Sequence, residues 1–216
     1  FQSKVILHRL FSFSIMAGIS GLGGQIFSFA DKLAVGAVLG LDAVAYYTIT
    51  INIASKILQL SGSITSSLMP AVSSWVAEAK YAMIQAYFYK STAILFSFNL
   101  LIASILLIFS ELFFYIWMGE IFTNKVLLSF QLLVIIYALI SLNAPAHHVS
   151  YGIGLPWLNA IASITGGTLT IILITQLGKP FGLLGAAVAN SGYLTVYILL
   201  IYIFLYLRKR SKREEE

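Results

Sequence analysis

Of 216 residues, 59% are hydrophobic and 10% charged, and the mean hydropathy is +0.92. A soluble domain carries about 25% charge, so a water-soluble globule is excluded. The absence of cysteine removes disulfides, thiolate metal sites and cysteine nucleophiles, while the net charge of +5 takes its meaning from where the 13 Lys and Arg fall.

Apolar runs and their interruptions predict an all-α polytopic membrane protein with spans near 11–39, 43–68, 90–110, 126–144, 157–178 and 183–207, followed by a charged tail over 208–216. About 20 apolar residues at 1.5 Å rise cross a hydrocarbon core of roughly 30 Å, so six spans nearly exhaust the chain. The first run is too long for a signal peptide and lacks a small-residue cleavage site followed by a soluble domain. It carries Ser14, Gly18, Gly21, Gln25, Ser28 and Lys32 at spacings of three and four, with Asp31 beside Lys32. The small residues favour close helix packing, which leaves Gln25, Asp31 and Lys32 as candidate site residues. Because the chain opens Phe1-Gln2-Ser3-Lys4 without a Met, the sequence reads as a fragment.

The second span is more informative. Thr48, Asn52, Ser55, Lys56, Gln59, Ser63 and Ser66 recur at helical spacing, opposite Ile49, Ile53, Ile57, Leu60 and Ile64. Such a helix meets lipid on one side and a polar or wet space on the other. Lys56 lies roughly 20 Å along it, near the midplane, where a charge costs about 2.5–3.5 kcal/mol on insertion scales. Two readings offset that cost. Lys56 either forms a structural ion pair with Asp31, or lines a water-filled cavity with Asn52 and Gln59 and meets an anionic group there. The two combine if the pair breaks and remakes during transport.

Further along, Lys80 to Lys90, with Tyr81, Tyr87, Phe88 and Tyr89, reads as an amphipathic entry into the third span. Trp75, Tyr115, Trp117 and Trp157 fall where aromatic belts form. His147 and His148 are adjacent and offer no metal geometry without further ligands, so no metal site is expected. Gly166 and Gly167 loosen the fifth span, and Gly182, Gly185, Ala186, Ala189 and Asn190 give the sixth a small packing face.

An even number of spans puts both termini on one side. That side collects Lys4, Arg9, Lys80, Lys90, Arg208, Lys209, Arg210, Lys212 and Arg213, against Lys32, Lys125 and Lys179 on the other. Both termini are therefore predicted cytoplasmic, with the final basic run as a stop anchor beside anionic membrane lipid rather than a nucleic-acid site. The sequence has no GxxxxGK[ST] nucleotide loop, and Glu111, Glu120 and the histidine pair are too scattered to make a catalytic cluster, so an enzyme is the weaker class.

The stretch from Asp31 to Pro70, DKLAVGAVLGLDAVAYYTITINIASKILQLSGSITSSLMP, resembles a segment of polysaccharide-biosynthesis and O-antigen flippases of the multidrug/oligosaccharidyl-lipid/polysaccharide exporter superfamily. YGIGLPWLNA and LGKPFGLLGAAVANSGY are similar to that family's last two helices. The resemblance implies a two-lobed transporter of which this chain is the C-terminal half-bundle, its partner being a six-helix N-terminal half. It further implies alternating-access movement of an undecaprenyl-pyrophosphate-linked oligosaccharide across a bacterial cytoplasmic (inner) membrane, beside a glycan polymerase machinery. No cofactor is implied beyond coupling to an H+ or Na+ gradient or to membrane potential, for which Asp31 is the candidate carboxylate. Lys56 and Lys32 would meet pyrophosphate or acidic sugars, and Asn52, Gln59 and Gln25 would hydrogen-bond glycan. The alternatives are a multidrug or cation exporter of the same superfamily, a non-transporting scaffold of a glycan-synthesis complex, and an embedded glycan polymerase or transferase.

Overall fold

A computed structural model describes residues 29–215 continuously, together with residues 11, 14, 15, 18 and 26; Gln25 lies outside the described residues. Every regular element among them is helical. In chain order these are α1 (29–39), α2 (Leu41–Ala54), α3 (Lys56–Thr65), α4 (Leu68–Ala77), α5 (Tyr81–Met118), α6 (Glu120–Ser141), α7 (Ala144–Gly152), α8 (Pro156–Ala189), a 3-10 segment (Asn190–Val196) and α9 (Tyr197–Glu215). Among the described residues three stretches are long and apolar enough to cross a membrane: Tyr81–Met118, Glu120–Gly152 and Pro156–Glu214.

Glycines set the sharp turns. Gly40 and Gly119, with φ of 90° and 82°, end α1 and α5 in a conformation that a side chain would strain. Within α8 the chain reverses at Gly182, where φ is 59° and ψ is −138°. Proline at 180 cannot donate the helical hydrogen bond, so the helix is weakened just before the glycine that turns it. The two legs then run antiparallel: Gly166 lies against Tyr193 and Thr195, Thr170 against Gly192, and Leu177 against Gly185. The break expected at Gly178-Lys179-Pro180 thus falls slightly later, because glycine, not proline, can take the required φ.

The second expected span is made of α2 and α3, end to end, interrupted at Ser55. Its hydroxyl bonds the Asn52 carbonyl at 3.1 Å, while its backbone N–H still donates to the Ile51 carbonyl at 2.8 Å and its carbonyl accepts from the Gln59 N–H at 3.2 Å, so the two helices run on as one leg. The third expected span sits inside the much longer α5, 38 residues or about 57 Å, so part of that helix must project beyond any hydrocarbon core.

α6 is the centre of the bundle. It touches α2, α3, α5, α8 and the 3-10 segment, and 56% of the most apolar stretch of Glu120–Gly152, the span it begins, is buried, against 17% for α5. One core cluster joins Val35, Tyr47, Ile57, Phe114, Phe130, Leu133 and Ile174 around it. A second, smaller cluster lies where α4, α5, α7 and α9 meet, built on Val72, Ile84, Phe88, Val149, Ile203 and Leu207. Outside these clusters Leu33, Ile108, Ile116 and Ile198 remain more than two-thirds exposed, the expected surface of a protein solvated by lipid.

Two substitutions test the hairpin of α8. Gly182→Ala should cost about 1–3 kcal/mol through backbone strain. Gly192→Leu should cost a similar amount, about 1–3 kcal/mol by overpacking, because a Cβ there already stands 2.7 Å from the Thr170 backbone nitrogen. Both should lower the thermal unfolding midpoint of the detergent-solubilised full-length protein, while exposed Leu33→Ala should not. A Gly192→Leu protein that melts with wild type would show that the two legs do not pack as described.

Candidate functional site

Two polar features of opposite character occupy the apolar bundle. The first is buried. Asp31 on α1 is 2% exposed and accepts a bond from its neighbour, the Lys32 backbone N–H, at 2.6 Å. The Tyr47 hydroxyl on α2 donates to its other oxygen at 3.4 Å. Tyr47 in turn accepts from the Asn190 amide at 2.8 Å, and that amide also reaches the Ala186 carbonyl at 3.0 Å. The Tyr137 hydroxyl on α6 donates to the Asn190 side-chain oxygen at 3.4 Å. One carboxylate is thereby linked through two phenols and an amide to α1, α2, α6 and the end of α8.

A second buried chain ties α3, α5 and α6. Ser61 donates to Asn99 at 2.9 Å, and the Asn99 amide donates to Ser141 at 2.7 Å. All three are buried, so each bond replaces a contact that neither water nor lipid can supply.

The other feature is exposed. Asn52, Lys56, Gln59, Ser63 and Ser66 all lie on the open face of α2 and α3, while Ile57, Ser61 and Thr65 face inward. Lys56 Nζ donates to Gln59 Oε1 at 3.0 Å, one turn on along the same face. An ammonium has three donors, so this bond leaves two for another group. At 1.5 Å per residue Lys56 stands about 24 Å along from the Gly40 turn.

The sequence-predicted residues therefore divide. Lys56, Asn52 and Gln59 come together on one open face. Asp31 turns inward to Tyr47 and is not brought to Lys56, so the ion pair offered as one reading of Lys56 is not formed; α2 presents Tyr47 to the bundle and α3 presents Lys56 to the outside. Lys32 is half-buried, its backbone N–H on Asp31 and its ammonium 5.8 Å from the Phe29 ring centroid, with no bond to Asn52, Lys56 or Gln59. His148 Nε2 lies 3.1 Å from the Gly62 carbonyl oxygen, and His147 packs edge-on against His148 and Tyr151. Tyr47, Tyr137, Asn99 and Asn190 were not expected as functional residues. For Asn99 and Asn190 the signal was present, since an amide inside an apolar run needs a partner; for the tyrosines, equally at home in a membrane interface, it was not.

No protein-family profile matches the chain. In sequence it is similar to the probable low-salt glycan biosynthesis flippase Agl15 of Haloferax volcanii, 28% identical over 189 residues, which cover 84% of this chain and 38% of that protein. In structure it superimposes on an outward-facing multidrug resistance MATE family transporter of the MOP superfamily with a TM-score of 0.77 and 18% identity, covering 92% of this chain and 44% of the other. A MOP superfamily transporter from Pyrococcus furiosus, whose binding pocket is described as reversed in polarity, gives a TM-score of 0.73 and 17% identity over 94% of this chain and 45% of that one. The fold is that of part of a MOP superfamily transporter. The chain spans less than half the length of each of these proteins. The relatives are transporters and a flippase, and the apolar helices together with this kinship mark a multi-pass membrane protein.

The two features should respond differently to mutation. Tyr47→Phe removes the hydroxyl between Asp31 and Asn190 and should cost about 1–2 kcal/mol, within the range for membrane hydrogen bonds and orphaned polar groups. Asn52→Ala and Gln59→Ala, on the open face, should leave the unfolding midpoint of the full-length protein unchanged within error. Equal destabilisation by all three would mean that the open face is a packed interface instead.

Proposed function

We propose that this chain forms one lobe of a flippase for lipid-linked oligosaccharides, working by alternating access with a second lobe of similar size. The observation that carries the reading is the open polar face of α2 and α3, centred on Lys56, in a chain similar to a glycan biosynthesis flippase. A cation in hydrocarbon costs about 2.5–3.5 kcal/mol. A hydrated cavity between two lobes removes most of that cost, and a phosphate-bearing cargo gives the ammonium a partner.

In this reading the two free donors of Lys56 meet the pyrophosphate, and Asn52 and Gln59 offer amide donors and acceptors to sugar hydroxyls. The Gln59 contact fixes the direction of the ammonium without neutralising it. Asp31, held by Tyr47 away from the open face, serves coupling rather than cargo binding, gaining and losing a proton or sodium ion as the lobes rock. In this reading α2 with α3, α5, α6 and the two sides of Gly182 each cross the cytoplasmic membrane, and α1 belongs to the first of six spans. The end of α9 lies on the cytoplasmic side, where Lys and Arg are retained.

A cationic-drug exporter needs acids on the cavity wall, and beyond Asp42 the open face of α2 and α3 carries none. A scaffold stabilised by an Asp31–Lys56 pair lacks its pair. Lys32, half-buried and away from the open face, is left out of cargo contact.

The test is transbilayer movement of a fluorescent polyprenyl-pyrophosphate-linked oligosaccharide in proteoliposomes holding the full-length protein. Lys56→Ala should reduce the initial rate at least about tenfold, equivalent to roughly 1.4 kcal/mol, with insertion unchanged. Lys56→Arg should restore part of the rate, because a planar guanidinium replaces a compact ammonium. Movement that ignores Lys56 would remove it from the cargo path, and no movement with correctly inserted protein would sink the flippase reading. Asp31→Asn should abolish the response of the rate to imposed pH or sodium gradients while leaving binding of the lipid-linked cargo in place.

A further inference from the structure

Residues far apart in sequence meet where α5 begins and α9 ends. Tyr89 lies against Phe204, with ring centroids 5.7 Å apart. The Arg210 guanidinium sits 5.5 Å from the ring centroids of both Tyr81 and Tyr206. Glu214 accepts from the Ala82 backbone N–H at 2.9 Å, satisfying one of the free donors in the first turn of α5. Ile203, Leu207 and Ser211 form the buried face of α9. The last turns of α9 are therefore not a loose tail: they remain helical and docked against α5 after the apolar sequence has ended.

On the other face of α9 the chemistry changes along a single stripe. Ile198, Ile201 and Leu205 are exposed, each more than half, and the same spacing of three and four continues through Arg208, Lys209 and Lys212, all exposed. Arg213 stands beside them. From Leu207 to Arg213 is about 9 Å along the helix, and a headgroup layer is about 5–8 Å thick. The apolar strip thus gives way to cations over a length comparable to a headgroup layer. Tyr202 and Tyr206, stacked with centroids 6.4 Å apart, flank the boundary as interfacial aromatics do. Among the described side chains, the acids nearby do not cancel these charges. Glu78 is paired with Lys80 at 2.5 Å, and Glu214 is turned to the α5 backbone.

We propose that this face of α9 is a binding site for an anionic phospholipid, its acyl chain along Ile198, Ile201 and Leu205 and its phosphate held by Arg208, Lys209 and Lys212. Arg210 takes no part in holding the phosphate; clamped between Tyr81 and Tyr206, it fixes the helix so that the other three point outward together. The bound lipid bridges no second protein and needs no transport cycle, so the site stands independently of the flippase reading.

The experiment uses the full-length protein, delipidated in a neutral detergent and titrated with dioleoyl-phosphatidylglycerol or dioleoyl-phosphatidylcholine. Retained lipid is followed by native mass spectrometry and stability by the thermal midpoint. Phosphatidylglycerol should be retained and should raise the midpoint, with retention falling as salt rises; phosphatidylcholine and inorganic phosphate should do neither. One surface cation is worth about fivefold in affinity, so the triple variant Arg208→Gln, Lys209→Gln, Lys212→Gln should lose on the order of a hundredfold. Its midpoint without lipid should match wild type, since the three side chains are exposed. Undiminished phosphatidylglycerol retention by the triple variant would overturn the site. An equal response to phosphatidylcholine would show lipid binding without headgroup recognition, and an equal response to phosphate would show an ion site without the acyl groove; either result overturns the proposal.

Discussion

A polar group inside a bilayer must find a partner, because lipid tails offer none, and most of this bundle's architecture follows from that constraint. The chain meets it in two ways. Asp31, Tyr47, Tyr137 and Asn190 satisfy one another across four elements, as Ser61, Asn99 and Ser141 do across three. Asn52, Lys56 and Gln59 instead stay on an open face, where only the Lys56–Gln59 bond is made between side chains. The same residue chemistry therefore does two jobs. Where it is internally satisfied it fixes helices to one another, and where it is left unsatisfied it presumes water or cargo.

α6 is the element that makes both possible. Tyr137 reaches the Asn190 network and Ser141, one turn on, reaches Asn99, so a single helix holds both buried chains in register. Its apolar side chains fill the space between α2, α3, α5 and α8. With α6 occupying the interior, α2 and α3 are pressed to the outside, inward residues Tyr47, Ile51, Ile57 and Ser61 toward α6 and the polar stripe away from it. The open face is thus a consequence of how the core is filled.

Much of this was legible in the sequence, and the exceptions are physically instructive. The polar stripe of the second span could be read from spacing alone, because helical period assigns faces without knowledge of neighbours. The all-helical class followed from hydropathy. Which inward residues pair could not be read, since Asp31 and Asn190 are far apart in the chain and meet only after α8 reverses at Gly182. The Asp31–Lys56 pair, one of the two readings offered for Lys56, does not form for a related reason: spacing along each helix does not say how two helices are turned toward one another. Gln25 lies outside the described residues, and its role stays with the sequence reading. The joining of α5 to the tail was also invisible, because Tyr81 and Arg210 have no shared pattern in sequence.

The geometry of α2 bears on how a buried carboxylate could influence an exposed face it does not touch. Tyr47 contacts Asp31, and Asn52 and Lys56 lie one to three turns further along the same continuous path of backbone. Between them Thr50 is buried and bonds back to the Tyr46 and Tyr47 carbonyls, and the backbone ladder runs on through Ser55, whose N–H donates to the Ile51 carbonyl and whose carbonyl accepts from the Gln59 N–H. A change in the charge of Asp31 would alter the bond to Tyr47 and, through it, the hold of Asn190 on α2. The continuous ladder would carry such a displacement through Asn52 to Lys56. It would move Lys56 and Gln59 together, because their side chains are bonded to each other and to no neighbouring helix. Under the flippase reading this couples proton or sodium occupancy at Asp31 to the direction in which the Lys56 ammonium points, with no direct contact between the two charges. Ser61, bonded to Asn99, and Gly62, whose carbonyl meets His148, hold the far half of α3 in place, so any such movement is confined to the helix between Tyr47 and these two anchors.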